Sequence, residues 1–304
     1  YILGIDIGTT AIKGAVIGED GKIYGTKTSE YPLTTLPTGE VEADLQLYIN
    51  AFTQSIKGAV EDAKVDVADI KCVGFSSTAE TCVFLDKYNE PLCKVIAWMD
   101  TRATKEAEYL TAHFDKKDII NKVGFDGIYA IHPVSKILAV KNKTPEIFEK
   151  TRMFAQIKDY FIYRLTGEYY TDHSTASDHG FFDITNRCYW NEMLEFTGIK
   201  EEYLPKLVEP GTELGTISRE AALEFGLNPE TKINVGAFDQ GCGAIGAGNT
   251  KPGIASESTG SALVTVATID ALNPDSQGDV PTLCSGIPRK YMYQPYCTGS
   301  IIMK

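Results

Sequence analysis

The sequence has no CxxC pair, no HxxxH or HExxH grouping and no GxxxxGK[ST] loop, and each absence closes a class. Its seven cysteines (Cys72, Cys82, Cys93, Cys188, Cys242, Cys284 and Cys297) form an odd set without paired spacing. That argues against a disulfide framework and a zinc knuckle and leaves buried free thiols as the expectation. His113, His132, His173 and His179 stand apart from one another and from cysteine, so a metal cage is not expected. Without the Walker lysine loop a P-loop NTPase is excluded. No apolar run approaches the roughly 18 residues of a spanning helix, and the opening YILGIDIGTT lacks the layout of a secretory signal. The expectation is a soluble, cytoplasmic protein. Basic residues are scarce: 29 Lys and Arg face 41 Asp and Glu, a net charge of -12 that repels nucleic acid and anionic membranes. What remains is ordinary globular material, 43% hydrophobic and 23% charged over 304 residues, enough for one large domain or two ordinary ones.

The opening alternates β-type runs with turn signals: Ile2 to Ile5, Gly8-Thr9-Thr10, Ile12 to Ile17, Asp20-Gly21, then Lys22 to Thr26. The pattern predicts a β-meander with a hairpin at Asp20-Gly21. Asp44 is placed to cap a helix whose apolar residues Leu45, Tyr48, Ile49, Phe52, Ile56, Val60 and Ala63 recur every three or four positions. Apolar runs at Cys72 to Phe75 and Cys82 to Leu85 and a helix near Ala103 to Ala112 make the class α/β. Helical signals then cover Val134 to Lys141, Pro145 to Lys150, Ile157 to Leu165 and Glu192 to Phe196. Lys232 to Val235 reads as a buried strand and Gln240 to Ile245 as a small-residue helix. Ile254 to Glu257 with Ala262 to Ile269 reads as a hairpin around Ser258-Thr259-Gly260-Ser261. This strand, Gly/Thr turn, strand pattern resembles the opening, and Gly246 to Gly253 is the candidate hinge.

Three clusters can carry chemistry. In DIGTT, Asp6 to Thr10 with Lys13 beyond, a carboxylate ends a strand and a Gly/Thr turn follows, which suits a polyphosphate with Mg²⁺ held directly or through water. An ordinary hairpin turn accounts for the same residues. In GAFDQGCGAIGAG, Gly236 to Gly248, Asp239 and Gln240 follow a buried strand, so Asp239 is placed either as a general base or as a simple N-cap. STGS, Ser258 to Ser261, is a second hydroxyl-rich turn that could face the first across a cleft, as phosphoryl transfer requires. Gly241, Gly243 and Gly246 spell GxGxxG inside the small-residue helix, where packing explains them better than a dinucleotide.

DIGTTxxK, WMDTR (Trp98 to Arg102), the stretch Lys136 to Gly167, the DxSTAS run (Asp172 to Ser177) and GAFDQ, in this order, resemble the FGGY carbohydrate kinases. The resemblance implies an actin-like, ribonuclease H-like fold, a mixed sheet flanked by helices, with ATP and sugar bound between two similar domains. Residues 1–246 would be the N-terminal domain and 247–304 the beginning of the C-terminal one. Carried over by motif, Asp6 is the Mg²⁺-associated carboxylate, Gly8, Thr9, Thr10 and Lys13 the first phosphate loop, Gly260 and Ser261 the second, and Asp239 the base. The family generally has threonine where Ser261 stands, and the hydroxyl survives.

The pocket departs from the family. Xylulokinases generally read Gln-Met-His-Gly, and glycerol kinases Gln-Arg-Glu-Thr, where this chain has Thr78-Ala79-Glu80-Thr81. Thr78, Glu80, Trp98, Asp239 and Gln240 are the expected substrate residues. Trp98 either stacks on the sugar or is a plain core residue. Asp100 and Arg102 suit an ion pair. The function implied is an ATP-dependent kinase acting on a sugar, polyol or sugar acid, a pentulose such as xylulose first. The alternative is a non-catalytic sugar-binding or regulatory protein of the same fold. An actin- or chaperone-type ATPase would not need Trp98 and Glu80. The expected partners are a small carbohydrate and ATP, with a homodimer left open, and neither nucleic acid nor membrane.

Overall fold

Alternation in the first strand, Ile2–Ile7, sends Leu3, Ile5 and Ile7 into the core, and the meander grows from it. The computed structural model describes residues 1–259 and 263–297. Strand Ile2–Ile7 pairs antiparallel with Ala11–Ile17, which pairs with Ile23–Glu30. This third strand continues past its apolar stretch because backbone pairing, not burial, holds residues 26–30. On its other side Ile2–Ile7 pairs parallel with Cys72–Ser77, which pairs parallel with Lys232–Phe238, and Glu213–Thr216 closes that edge. The resulting six-stranded mixed sheet aligns Ile7, Ser77 and Phe238 as neighbours at one edge. Ligands of open α/β sheets collect outside such carboxyl ends.

Helix Leu45–Ala63 lies on this sheet with Tyr48, Phe52, Ile56 and Ala59 buried. Close approach requires glycine in the strand below, since a Cβ on Gly14 would stand 2.5 Å from the Ser55 carbonyl oxygen. Phe52 stacks on Phe161 of helix Ile157–Thr166 at 3.9 Å between ring centres. Asp44 takes the cap position, but its carboxylate makes no capping bond, contrary to the sequence expectation; the backbone geometry suffices to start the helix.

Cys82–Leu85 leaves the main sheet and joins a second, antiparallel one with Thr34–Thr35, Val41–Ala43, Val95–Ile96 and Met153–Gln156. The turn between the two sheets runs through Glu80, held in the left-handed region at φ 58°. A third sheet contains Ala255–Thr259, Leu263–Ile269, Thr282–Cys284, Tyr291–Tyr293 and Tyr296–Cys297. Here Ser258 and Thr259 are strand residues paired with Val264 and Leu263 rather than turn residues, and Gly260 and Ser261 lie outside the described residues. The candidate hinge is pinned by buried Asn249, whose side chain donates to the Val266 carbonyl at 2.9 Å and accepts from Thr268 at 2.8 Å. Of the GxGxxG glycines only Gly241 shows the expected close packing, on the backbone of Gly286; a Cβ on Gly243 or Gly246 would meet open space, because those positions face away from the neighbouring chain. The layout is the actin-like, ribonuclease H-like fold. Among the described residues no helix is long and apolar enough to cross a membrane.

The thiols are only partly as expected: Cys82 and Cys284 are buried, Cys72, Cys93 and Cys242 are half-buried, and Cys188 is exposed because its short strand, Cys188–Tyr189, turns it to solvent.

Candidate functional site

Register brings the first cluster together. Asp6 lies opposite Lys13 on one neighbouring strand and Ser76 on the other. Ser76 Oγ donates to its Oδ1 at 2.9 Å, and Lys13 Nζ lies 3.4 Å from Oδ2. The following turn is closed by Gly8 N–H donating to the Ala11 carbonyl at 3.0 Å, and the Tyr31 hydroxyl donates to the Gly8 carbonyl. Thr9 is half-buried, while Thr10 and Lys13 are exposed.

Asp239 owes its position to a bulge. The pairing of Lys232–Phe238 with Cys72–Ser77 shifts between Asn234 and Ala237, and Gly236 there has φ 68°. A Cβ at Gly236 would stand 1.7 Å from the Phe75 carbonyl oxygen, so only glycine fits. The Phe238 N–H beyond the bulge donates to Ser174 Oγ at 3.0 Å. Ser174 in turn donates to Asp172, whose carboxylate is paired with Lys158 where neither side chain is exposed. Thr175 also donates to Asp172, at 2.7 Å. Burial works to raise Asp172, but Lys158 and these hydroxyl donors outweigh it and hold the carboxyl below its ordinary value. This closed network fixes the strand end. Asp239 itself is the first residue of helix Asp239–Gly246 with Phe238 as its cap, so it is not the N-cap that the sequence left open.

Two cavities meet at Asp239. The larger, about 530 Å³, is lined by Asp6, Ser76, Asp239, Gln240 and residues of strand Ala255–Thr259. The smaller, about 340 Å³, is lined by Thr9, Thr78, Glu80, Trp98, Asp178, Asp239 and Gln240 among others. All five residues expected from the sequence to touch substrate stand on this second wall. Gly8, Thr10 and Lys13 line neither cavity. Asp239 Oδ1 is buried without a hydrogen-bond partner, and burial together with the charge of Asp6 pushes the carboxyl up to about 7.

Trp98 is not a plain core residue: it is half-buried on the cavity wall, and its Nε1–H donates to Thr9 Oγ1 at 2.9 Å. Its backbone is fixed from behind by Lys136, fully buried on helix Pro133–Lys143, whose Nζ donates to the carbonyls of Glu80 (2.7 Å), Ala97 (2.9 Å) and Trp98 (3.0 Å). Burial lowers the Lys136 pKa, while Cys82, Glu80 and Asp100 work the other way. Sequence reasoning passed over Lys136, although a lysine inside HPVSKILAV, on an otherwise apolar stretch, was the available signal. It also passed over Asp178, one residue beyond the DxSTAS run, which is pushed up to about 8 by burial and by Asp239. Glu80 is raised well above its ordinary value by burial, Asp178 and Asp239, against the pull of Lys136. Asp100 and Arg102 form the expected ion pair at 2.8 Å, with Asp100 also accepting from the Val41 N–H.

Comparison with known proteins finds relatives both in sequence and in overall fold. Residues 1–246 match the FGGY family of carbohydrate kinases, N-terminal domain. The xylulose kinase of Bacillus subtilis is 30% identical over 282 residues, which cover 92% of this chain and 56% of that protein. The gluconokinase of the same organism is 29% identical over 311 residues, covering 100% of this chain and 59% of that protein. A ligand-bound xylulose kinase from Lactobacillus acidophilus superimposes with a TM-score of 0.92 at 27% identity, over 99% of this chain and 61% of that one. The chain thus spans a little over half the length of the curated relatives it matches.

Proposed function

We propose that this chain, which belongs to the FGGY family of carbohydrate kinases, transfers the γ-phosphoryl group of ATP to a hydroxyl of a small carbohydrate, a pentulose such as xylulose first. The observation that carries the reading is the Asp239 carboxylate, with its Oδ1 unpartnered, at the junction of the two cavities. A base there reaches a hydroxyl held in the smaller cavity while the larger one takes the phosphates. Its raised pKa suits the task, because a base that titrates near the working pH both accepts and releases a proton readily.

On family resemblance, Gly8, Thr9, Thr10 and Lys13 of the first turn, and Gly260 and Ser261, serve the phosphates. Asp6 is the carboxylate that would hold Mg²⁺. No group of three or more metal-binding side chains occurs among the described residues, and Mg²⁺ habitually takes one or two carboxylates and completes its shell with water and phosphate oxygens. The Asp6 carboxylate, on the wall of the larger cavity assigned to the phosphates, fits such a cation. When bound it would neutralise charge on the transferring group. Thr78, Glu80 and Gln240 orient the acceptor, and Trp98 covers an apolar face of it. Residues 1–246 serve as the N-terminal domain and residues from 247 onward begin the second.

The test is ADP release from Mg·ATP by the natural full-length protein over a panel of pentuloses, hexuloses, polyols and sugar acids. Stimulation by one class supports the reading. A folded protein silent across the panel removes it.

A further inference from the structure

The smaller cavity holds three acceptor atoms that the protein leaves unsatisfied: Asp178 Oδ2, Asp239 Oδ1 and Gln294 Oε1 are buried and have no hydrogen-bond partner. Asp178 is only 4% exposed and its remaining access is through this cavity. An occupant that displaces water from the cavity has to supply the donors these acceptors need, since leaving them unpaired is unfavourable. A hydroxyl supplies one donor and can accept as well, whereas an ionised carboxylate only accepts.

Charge points the same way. Among the described residues lining the cavity there is no Lys, Arg or His, while Glu80, Asp178 and Asp239 all face it. The nearby ammonium of Lys136 is spent on the backbone carbonyls of Glu80, Ala97 and Trp98. An incoming carboxylate would give up its water to a cavity wall that offers no cation to pair with it. Phe125, Ile131, Phe238 and Leu283 supply the apolar remainder, which suits the C–H faces of a carbohydrate.

We propose that this cavity selects a neutral polyhydroxy compound and turns sugar acids away, with Asp178 as a specificity-determining residue that binds a substrate hydroxyl. For turnover the inference rests on the kinase reading; for binding it does not. Trp98, on the cavity wall, reports occupancy, and Trp190, the other tryptophan, is buried elsewhere.

The experiment titrates the protein's tryptophan emission with D-xylulose, xylitol and glycerol against D-xylonate and D-gluconate, and follows ADP release with the same compounds. Trp98→Phe serves as the silent control. The expected result is saturable binding of at least one neutral compound, with both acids at least about 10² weaker, a floor well under the roughly 10⁴–10⁵ by which a hydrogen-bonding site rejects a ligand that leaves its polar groups unpaired. Asp178→Asn, folded by its thermal transition, should narrow that ratio about tenfold or more and raise KM more than it lowers kcat. Acids that bind as tightly as neutral compounds, no binding by any of the five, or an unchanged ratio in folded Asp178→Asn would overturn the proposal. Should that variant not fold, the wild-type ratio decides alone. Binding of neutral compounds without ADP release would remove the kinase reading and leave this inference standing. ADP release equally strong with D-gluconate would do the reverse.

Discussion

Asp239 combines an unpartnered oxygen, a raised pKa and a place on both cavities, and its removal has a defined signature. Asp239→Asn should keep carbohydrate binding, read by Trp98 emission, while turnover falls by at least about 10², the contribution of a positioned base. The pH dependence follows from the direction of the shift. Below about 7 the carboxyl holds its proton and cannot take another, so kcat/KM should rise with pH and level off above about 7. Burial sets that value first, Asp6 raises it further from the phosphate side, Gln240 and Lys13 pull it down, and Glu80 and Asp178 lie across the smaller cavity. A profile flat from pH 5.5 to 8.5 would remove Asp239 as the titrating base. Asp6 and Asp239 were legible in the sequence because each ends a strand beside small residues, a local pattern. Lys136 and Asp178 were not, because their roles depend on where a helix and a cap turn place their side chains in three dimensions.

At the level of elements, one glycine carries the aim of the base. Gly236→Ala would force a Cβ into the Phe75 carbonyl and a residue with a side chain into positive φ. The expected cost is at least about 2 kcal/mol in denaturant unfolding, with turnover reduced beyond what the lost stability explains; a variant as stable as the parent would refute the account of the bulge. The Lys158–Asp172 pair behind it has no exposure to soften its loss. Asp172→Asn leaves an uncompensated buried ammonium and should destabilise by about 3–5 kcal/mol. Much of the element order was readable from apolar periodicity and turn residues. The departure of Cys82–Leu85 into a second sheet was not, since a short apolar run names a strand but not its partner, and the left-handed Glu80 that redirects the chain has no sequence signature. Helix Lys116–Val123 escaped notice as well: its apolar residues Ile119, Ile120 and Val123 are few, and Asp115, which accepts from the Lys117 N–H at 2.8 Å, was the signal for its start.

For the whole molecule, the buried ionisable groups set opposing slopes of stability against pH. Asp159 and Asp239, pushed up to about 7, and Asp178, pushed up to about 8, bind protons more tightly when folded, so their contribution is lost as pH rises through those values. His132 and His179, lowered to about 3 by burial, act oppositely, and their contribution is lost as pH falls from 6.5 toward 3. The histidines finish changing only at about pH 7.5, but the three carboxyls outweigh them, so the thermal midpoint should decline from pH 6.5 to 8. Asp178→Asn should flatten that decline. A midpoint that rises over this interval would contradict the buried carboxyls as its source.

The single bond from Trp98 to Thr9 ties the wall of the carbohydrate cavity to the turn that follows Asp6, a residue of the phosphate cavity. A donor shared in this way makes the two halves of the cleft parties to one equilibrium, and thermodynamic reciprocity then applies. By whatever factor an occupant of one half alters affinity in the other, the second occupant alters the first by the same factor. Trp98→Phe, which keeps the ring and removes the donor, should therefore shrink both factors together.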